Sequence, residues 1–350
     1  MNQQPARVDA AAFFQIAQDA FMYAIPLMCL EGFRRRRMAA GGMARVLHAR
    51  KLLHHRSRQI TTPNNDTLYT DFWLDLNAGP ARIRIPGTGE RYFSLALMDA
   101  YTNNFAVLGT RTTGPEAVDF TLIGPDAPAA GIEGRVLRAP TPAVLCLARV
   151  LVDGPEDIAA ANAIQDEIQL EAPETPDGTD RPAIPRDAPW REFFAEANRL
   201  IRDNPPPLSD LALLRRIAPL GIGPDQEFDP DGFTAEEAEA IEAGHKTAAD
   251  RLARVQTSLG KGGRGWVTPR SKLGDYGEDY FLRAVVAVGG LAALPLEEAT
   301  YLRSGGVNGR EFNGGNLWRL HFPAGEALPA DSFWSLSMYE PTPEGEFFFV

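Results

Sequence analysis

The sequence has little cysteine, no long hydrophobic run and no excess of basic charge. Its two cysteines, Cys29 and Cys146, can form one disulfide at most, which excludes the disulfide-rich class of small secreted domains. The net charge of −11 argues against a nucleic acid as the main partner. The longest unbroken apolar run, Phe21–Leu30, is shorter than the roughly 20 residues that a membrane-spanning helix needs. We therefore expect a soluble protein.

An export signal is also missing. The N-terminus has no charged region followed by an uninterrupted apolar core and a small-residue cleavage site. This predicts a cytoplasmic protein, with the periplasm as the alternative location.

Standard catalytic and metal-binding motifs are absent as well. The chain has no nucleophile elbow, no Cys-x-x-Cys and no His-Glu-x-x-His. The glycine-rich segment Gly260–Gly265 lacks the spacing of a phosphate-binding loop, and we interpret it as a connection between two helices. His54 and His55 are adjacent and would point in different directions on a helix. The sequence therefore predicts no metal and no cofactor.

The hydrophobic pattern predicts an α+β fold. Short alternating segments between Gly/Pro turns are typical of the strands of a sandwich or barrel, and the middle of the chain has helical spacing. The order strands, helices, strands indicates two separate sheet cores. The predicted strands are Asp71–Leu76, Ala81–Ile85, Arg91–Asp99, Asp119–Ile123, Gly134–Leu137, Ala143–Val152, Ala299–Arg303, Leu317–Phe322 and Phe333–Tyr339. The predicted helices are Ala10–Leu30 (ended or kinked near Pro26), one opened by Pro155, Trp190–Arg202, Ser209–Ala218, one from the capping box Thr234/Glu237 to Leu259, and Glu278–Leu291.

The segment Arg34–Arg58 is strongly basic within an acidic chain. It contains nine Lys/Arg and no acidic residue. One interpretation is a solvated hairpin that leans on the acidic body of the protein. The other is a contact surface for an anionic partner, such as a lipid, a neighbouring subunit or a ligand.

Polar side chains gather at the ends of two predicted strands. Because neighbouring strand ends in a sheet can share one rim, we expect both groups to form one pocket. A Pro-Asn-Asn-Asp sequence is also a turn former whose side chains cap their own backbone, which accounts for part of the first group. The first group is Asn64, Asn65, Asp66 and Thr67; the second is Asp99, Tyr101, Asn103 and Asn104.

Each of these residue types suits a role in binding or catalysis. Asp66 and Asp99 are the candidate catalytic acid/base groups. Arg111, between two threonines, is a candidate clamp for an anion. The candidate substrate-binding residues are Asn64, Asn65, Thr67, Tyr101, Asn103, Asn104, Arg111, Arg319 and His321. The last two share one face of the strand predicted at Leu317–Phe322, where they would bind a carboxylate or transfer a proton; the alternative is a solvent-facing strand.

Several segments resemble a known pair of domain families. PNNDTLYTDFWLDL and RYFSLALMDAYTNNFAVLGTRTTG resemble domain of unknown function 1254, with YAIPL upstream. GDYG, YFLRA, LHFPAG and FWSLSMY resemble domain of unknown function 1214. The resemblance implies two antiparallel β-sandwich (jelly-roll-like) domains joined by a helical segment, and no established reaction. Relatives usually continue beyond the FWSLSMY strand, so we expect the second sandwich to be incomplete at Val350.

Together, pattern and resemblance predict four regions. They are an N-terminal helical and basic segment (1–60), a first β-sandwich (61–153), a helical segment (154–260) and a second β-sandwich (261–350).

Two functional hypotheses follow, and whether the protein is an enzyme stays open. The first is binding of a small polar organic molecule at the rim of the first sandwich, with turnover as a hydrolase or lyase. The alternative is a binding module for a glycan or another small ligand, with Trp73, Tyr101 and Trp334 as stacking platforms. A scaffold that self-associates is a third interpretation.

Overall fold

We describe a computed structural model of the chain, which covers residues 9–58, 60–176, 181–258, 265–268, 272–326, 328–343 and 346–350. Within these ranges the fold is mixed α/β, with several mostly antiparallel sheets, none of which closes on itself. The helices are α1 (Ala10–Gly41), α2 (Ile158–Asp166), α3 (Trp190–Asp203), α4 (Leu211–Ile217), α5 (Ala235–Ser258) and α6 (Tyr280–Gly289). The strands are β1 (Leu47–His48), β2 (Thr67–Asp75), β3 (Ala81–Ile85), β4 (Phe93–Met98), β5 (Asn104–Gly109), β6 (Val118–Ile123), β7 (Arg135–Arg138), β8 (Ala143–Leu151), β9 (Gln169–Glu171), β10 (Gly306–Val307), β11 (Arg310–Glu311), β12 (Tyr339–Pro341) and β13 (Phe347–Phe349).

Two sheets face each other across one hydrophobic core. The first has the order β1-β2-β8-β4-β5 and is antiparallel throughout, and the second has the order β7-β6-β3-β9 with one parallel pair, β6 and β7. Alternate residues of both sheets meet in the core, among them Phe72, Leu95, Val150, Ile83 and Phe120. These are the residues that the alternating pattern of the sequence places on the inner face of each sheet. Strand β9 and helix α2 belong to the same body, because Leu170 of β9 packs against this core and Ala161 of α2 is buried in it.

Helices cover the other face of the first sheet and make it a central layer. Leu30 and Met38 of α1 pack on Trp73, Leu145 and Leu147. Strand β8 is therefore buried on both sides, which explains its nearly continuous apolar sequence.

Helix α1 is the hub of the helical layer, where it packs against α3, α4, α5 and α6. The prediction that this helix ends near Pro26 is wrong, because α1 continues to Gly41. The helix predicted from the capping box Thr234/Glu237 corresponds to α5, which buries Ile241, His245, Ala248 and Leu252 along one face. Leu259 and residues 260–264 of the glycine-rich segment lie outside the described residues.

The imidazole of His245 sits among three phenylalanine rings. Its centroid lies 5.0 Å from those of Phe21 and Phe193 and 5.5 Å from that of Phe194. Its Nε2 has no hydrogen-bond partner among the described residues, and burial lowers its pKa to about 4. The imidazole is therefore a neutral core side chain.

Helix α1 is also long and apolar enough, by length and composition, to cross a membrane. However, 78% of its apolar window is buried inside the protein. The core helix of a soluble protein and a signal sequence both have these properties, so the helix alone does not fix the location of the protein.

The strands expected near the C-terminus do not form. Ala299–Arg303, Leu317–Phe322 and Phe333–Tyr339 lack regular structure, apart from a bridge between Arg303 and Val267 and the first residue of β12. Their alternation finds no partner strand among the described residues, and a strand without a partner leaves its backbone unpaired. In place of a larger sheet, residues 306–349 contain two two-stranded sheets, β10-β11 and β12-β13.

Much of the basic segment is engaged in ion pairs. Arg37 binds Asp71 through two hydrogen bonds of 2.6 and 2.8 Å, and Arg50 pairs with Asp166. These contacts hold the segment against the acidic body; contact with an anionic partner stays a prediction.

Cys29 and Cys146 are both free and lie in separate cores.

Candidate functional site

The two predicted polar groups lie at opposite ends of the first sheet. Thr67 pairs with Leu151 of β8, whereas Met98 pairs with Leu145. Six residues of strand separate these positions, which is about 20 Å. The expectation of one shared rim is therefore wrong. Strands β2 and β4 run in the same direction on either side of β8, so their starts lie at the same end of the sheet. The first polar group lies at the start of β2 and the second follows the end of β4, which places the groups at opposite ends.

The second group organises a loop and docks another part of the chain. The carboxylate of Asp99 accepts hydrogen bonds from the backbone N–H of Tyr101 and Asn103, each at 2.9 Å. The amide of Asn104 donates to the carbonyls of Gly274 (3.1 Å) and Ala293 (2.9 Å). These side chains therefore connect the first sheet to the segment before and after α6.

The side chains of Tyr101 and Asn103 also form hydrogen bonds to distant parts of the chain. Tyr101 is fully buried, and its hydroxyl donates to the carbonyl of Asn204 at 2.8 Å. The side-chain oxygen of Asn103 accepts from the backbone N–H of Tyr276 at 3.3 Å. Both side chains therefore serve contacts within the fold.

In the first group, Asn64 is a turn cap and Asp66 is the accessible acid. Asn64 Oδ1 accepts from the backbone N–H of Asp66 (2.5 Å) and of Thr67 (3.2 Å), which is the turn-forming alternative of the sequence analysis. Asn65 is exposed. The carboxylate of Asp66 is half-buried and accepts from Ser335 Oγ at 2.7 Å.

Arg149 is the residue that the sequence analysis missed at this end of the sheet. It lies between Tyr69 of β2 and Ser94 of β4, and its side chain is buried on the helix-facing side. Its Nη2 donates to the carbonyl of Ala292 at 2.9 Å. Among the described residues, no acceptor meets the distance and angle of a hydrogen bond to Nε or Nη1, and no carboxylate pairs with the guanidinium.

Hydroxyl groups surround this charge. The ring of Tyr69 is 5.5 Å from the guanidinium carbon, and Tyr92 and Tyr301 lie nearby. Thr67, on the same sheet face, has an Oγ1 without a partner among the described residues. We call Arg149, Tyr69, Tyr92, Ser94 and Thr67 the Arg149 cluster.

Residues from the C-terminal part border the Arg149 cluster. Tyr339 donates to the carbonyl of Pro63 at 2.7 Å and lies near Asp66, Tyr69 and Arg303. Burial lowers the pKa of Arg303, which has no carboxylate partner among the described residues. The cluster is therefore a buried positive site, bordered by phenols and by the acid Asp66.

The remaining predicted site residues lie apart from this arrangement or are already paired. Arg111 forms an ion pair of 2.6 Å with Glu298, whose carboxylate also accepts from Tyr92 at 2.7 Å. Arg319 and His321 are exposed and lie on no strand. Among the described residues, no group of three His, Cys, Asp or Glu side chains could hold a metal ion.

Residues 43–172 match the family model described as "Protein of unknown function (DUF1254)". This segment is therefore similar to DUF1254. It contains β1 to β9 and α2, and therefore both large sheets and every residue of the Arg149 cluster. The likeness of the C-terminal part to domain of unknown function 1214 stays a prediction.

The likeness to one solved structure extends beyond residues 43–172. The VPA0106 protein from Vibrio parahaemolyticus is 20% identical, with a TM-score of 0.58 over 81% of this chain and 69% of that one. An uncharacterised protein from Burkholderia cenocepacia is 16% identical, with a TM-score of 0.31 over 74% of this chain and 57% of that one. The first likeness shows a shared fold. No curated protein matches the chain.

One signal for the missed residue is present in the sequence. Ala143–Val152 is apolar except for Arg149, and in that strand Arg149 shares a face with Leu145 and Leu147. A single charge on an otherwise apolar strand face requires a partner or a ligand.

Proposed function

We propose that the protein binds a small polar organic molecule at the Arg149 cluster through a carboxylate or phosphate group. The observation that carries this proposal is the buried guanidinium, whose Nε and Nη1 have no hydrogen bond of normal geometry among the described residues and only the nearby phenol of Tyr69 as a weaker contact. An unmet buried donor costs about 1–3 kcal/mol, and more when the group is charged. An anionic group of a ligand would remove this cost with charge-assisted hydrogen bonds, while the hydroxyls of Thr67 and Ser94, unpartnered within the described part of the chain, bind its other polar atoms.

The positions of the aromatic residues favour this proposal over a glycan-binding module. Trp73 is buried against Phe33 of α1, with ring centroids 5.9 Å apart, and Tyr101 is fully buried. Of the three expected stacking platforms, Trp334 alone is exposed. A sugar ring needs an exposed aromatic face on which to stack.

Turnover of the bound molecule, as a hydrolase or lyase reaction, is a second proposal. Asp66 is the acid/base group we favour, because its carboxylate is partly accessible and lies at the same sheet end as Arg149. Asp99 is less suited, since it is buried at the other end and holds its own loop. Substitution Asp66→Asn should abolish any turnover found by substrate screening and leave anion binding intact.

The binding proposal is tested by titrating small carboxylates and phosphate esters into the protein by calorimetry. We expect Arg149→Met to weaken binding at least tenfold, because no other group replaces the charge. Arg149→Lys keeps the positive charge but removes the planar pair of donors, so it tests whether binding needs two parallel hydrogen bonds. The control is Arg82→Met, which removes an exposed arginine paired with Asp119 on the second sheet. If no anion binds the wild type, or if Arg149→Met binds as tightly, the proposal is wrong.

The stability of the unliganded protein gives an independent measurement. Because an uncompensated buried charge is costly, Arg149→Met should not lower the free energy of unfolding without ligand. A large loss of stability would instead assign Arg149 a structural role.

We also propose how the two large sheets are arranged and where in the cell the protein is located. The shared core between the two sheets supports a β-sandwich for residues 43–172. For the location we propose the cytoplasm, with the periplasm as the alternative. An experimental structure and cell fractionation test these proposals.

A further inference from the structure

A second buried arginine lies in the helical layer, at the other end of the first sheet. Arg283 of α6 is 1% exposed. Its guanidinium carbon lies 5.1 Å from the ring centroid of Tyr23, 5.5 Å from that of Tyr101 and 5.0 Å from that of Tyr280. Three elements, namely α1, the loop after β4 and α6, therefore enclose one cation.

The acid beside Arg283 takes its hydrogen bonds from other groups. Asp210 accepts from the hydroxyl of Tyr23 at 2.9 Å and from that of Tyr280 at 3.0 Å. The distance from its Oδ2 to Nη1 of Arg283 is 3.9 Å, which is too long for a hydrogen bond. Asp99 also lies near Arg283, but its carboxylate is hydrogen-bonded to its own loop.

One edge of the guanidinium is therefore unmatched. Nε and Nη2 of Arg283 have no partner among the described residues. Their N–H bonds point the same way, and this is the edge with which an arginine holds the two oxygens of a carboxylate in parallel hydrogen bonds. A charged donor pair buried in this state destabilises the fold unless an acceptor reaches it.

We propose that this edge of Arg283 binds the carboxylate group of a small organic acid. The Arg283 site is separate from the Arg149 cluster, since the two lie at opposite ends of the first sheet. The tyrosine rings exclude water from the ion contact, which strengthens it.

A cavity beside Tyr280 provides the route. It has a volume of about 250 Å³, and Tyr280 lies in its lining. The charged groups of the lining are the arginines Arg216 and Arg251 and the acids Asp19, Glu278 and Asp279. Tyr280 contributes to this cavity and donates its hydroxyl to Asp210, so it stands between the cavity and the buried charges. Rotation of this one side chain would connect them. The volume suits an acid of a few carbon atoms, because a water molecule occupies about 30 Å³ in the liquid.

The test is calorimetric titration of acetate, propionate and benzoate, with chloride as the control anion. We expect at least one carboxylate to bind the wild type and Arg283→Lys to weaken its binding at least tenfold, because an ammonium lacks the fixed pair of donors. The matched control is Arg191→Lys on α3, away from the cavity, where the guanidinium stacks on Trp190; its affinity should stay within twofold. Arg149→Met should also retain the binding, which separates this site from the first.

A measurement on the wild type avoids any folding defect of the variants. The buried Nε–H of Arg283 should exchange slowly and give a nitrogen-15 NMR signal, which Arg283→Lys identifies by its loss. We expect this signal to shift on addition of the bound acid and not on addition of chloride. The proposal is overturned if no acid binds more tightly than about 10 mM, if Arg283→Lys binds equally well, or if the signal does not move.

Discussion

Asp99 and Asp66 show how one residue type takes different roles at two ends of the same sheet. Asp66 is half-buried at the start of β2, whereas Asp99 is 4% exposed and caps its loop. Burial is the main cause that raises the pKa of Asp99 from 3.8 to about 6. Such a shift is common at catalytic carboxylates, but it also occurs where a carboxylate serves the fold alone.

The raised pKa of Asp99 predicts a pH dependence of stability. Between about pH 4 and pH 6, the folded chain holds a proton at Asp99 that the unfolded chain has lost, so this carboxyl lowers stability as the pH rises. Relative to Asp99→Asn, we expect the wild type to lose up to about 3 kcal/mol of unfolding free energy across this window. Denaturant unfolding at pH 4, 5, 6 and 7 measures the difference. Parallel pH profiles for the two proteins would contradict the prediction.

At the scale of elements, α1 shows how packing overrides a local signal. Proline within a helix removes a hydrogen bond and costs about 3 kcal/mol. Here Pro26 lies in the middle of a run, Ala20–Leu30, in which every residue is buried. Burial of such side chains contributes about 1.5–3 kcal/mol each, so the helix continues. Nothing in the local sequence indicates how many neighbours would cover it.

The contact between α1 and α5 depends on a glycine. A Cβ at Gly244 would lie 2.3 Å from the carbonyl oxygen of Phe14 and 3.0 Å from the Cβ of Ala17. We expect Gly244→Ala to destabilise the protein by about 1–3 kcal/mol, because the two helices must move apart. Chemical denaturation measures this change.

A helical glycine elsewhere on α1 provides the matched control. A Cβ at Gly32 would only touch the side chain of Arg36, at 3.6 Å. Gly32→Ala should therefore stabilise the protein by about 0.5–1 kcal/mol. Equal effects of the two substitutions would show that α1 and α5 are not in close contact.

The strands differ in how well their pattern predicts them. Ala81–Ile85 alternates and lies between two partner strands, so prediction and structure agree to the residue. Leu317–Phe322 alternates equally well, but Leu317 is 99% exposed and no strand forms. Alternation indicates what a strand would bury; it does not supply a partner.

At the scale of the whole molecule, the segment around α6 is joined to the first sheet through a glycine. Gly274 has a φ of +77°, and a Cβ there would lie 2.7 Å from the nitrogen of Pro295 and 2.9 Å from Nδ2 of Asn104. Its carbonyl accepts the backbone N–H of Asn104 at 2.7 Å. This contact has little room for a side chain.

We expect Gly274→Ala to loosen that junction. Its control, Gly277→Ala, also has a positive φ (+54°), but its Cβ would meet only the flexible end of Lys272 at 3.4 Å. Backbone strain alone costs about 1–2 kcal/mol, so Gly274→Ala should cost more and should expose residues 272–294 to protease. Limited proteolysis and unfolding measure both effects. The same loss in both variants would mean that strain, and not the junction, is responsible.

The candidate site was predictable in its parts and not in its assembly. The polar segments at Asn64 and Asp99 do follow strand ends, but antiparallel pairing through β8 separates them. Strand order depends on contacts between residues far apart in sequence, which local patterns do not encode. Arg149 is the centre of the proposed site. Its position as a single charge on an apolar strand face became recognisable only once the sheet was known.

The central position of α1 has a consequence for synthesis in the cell. Its largest partner, α5, begins about 200 residues later in the chain. At translation rates of about 5–20 residues per second, α1 would wait some 10–40 s for that partner. During this time we expect its apolar surface to be open to chaperones, so that the yield of the protein falls when α1 is left unshielded.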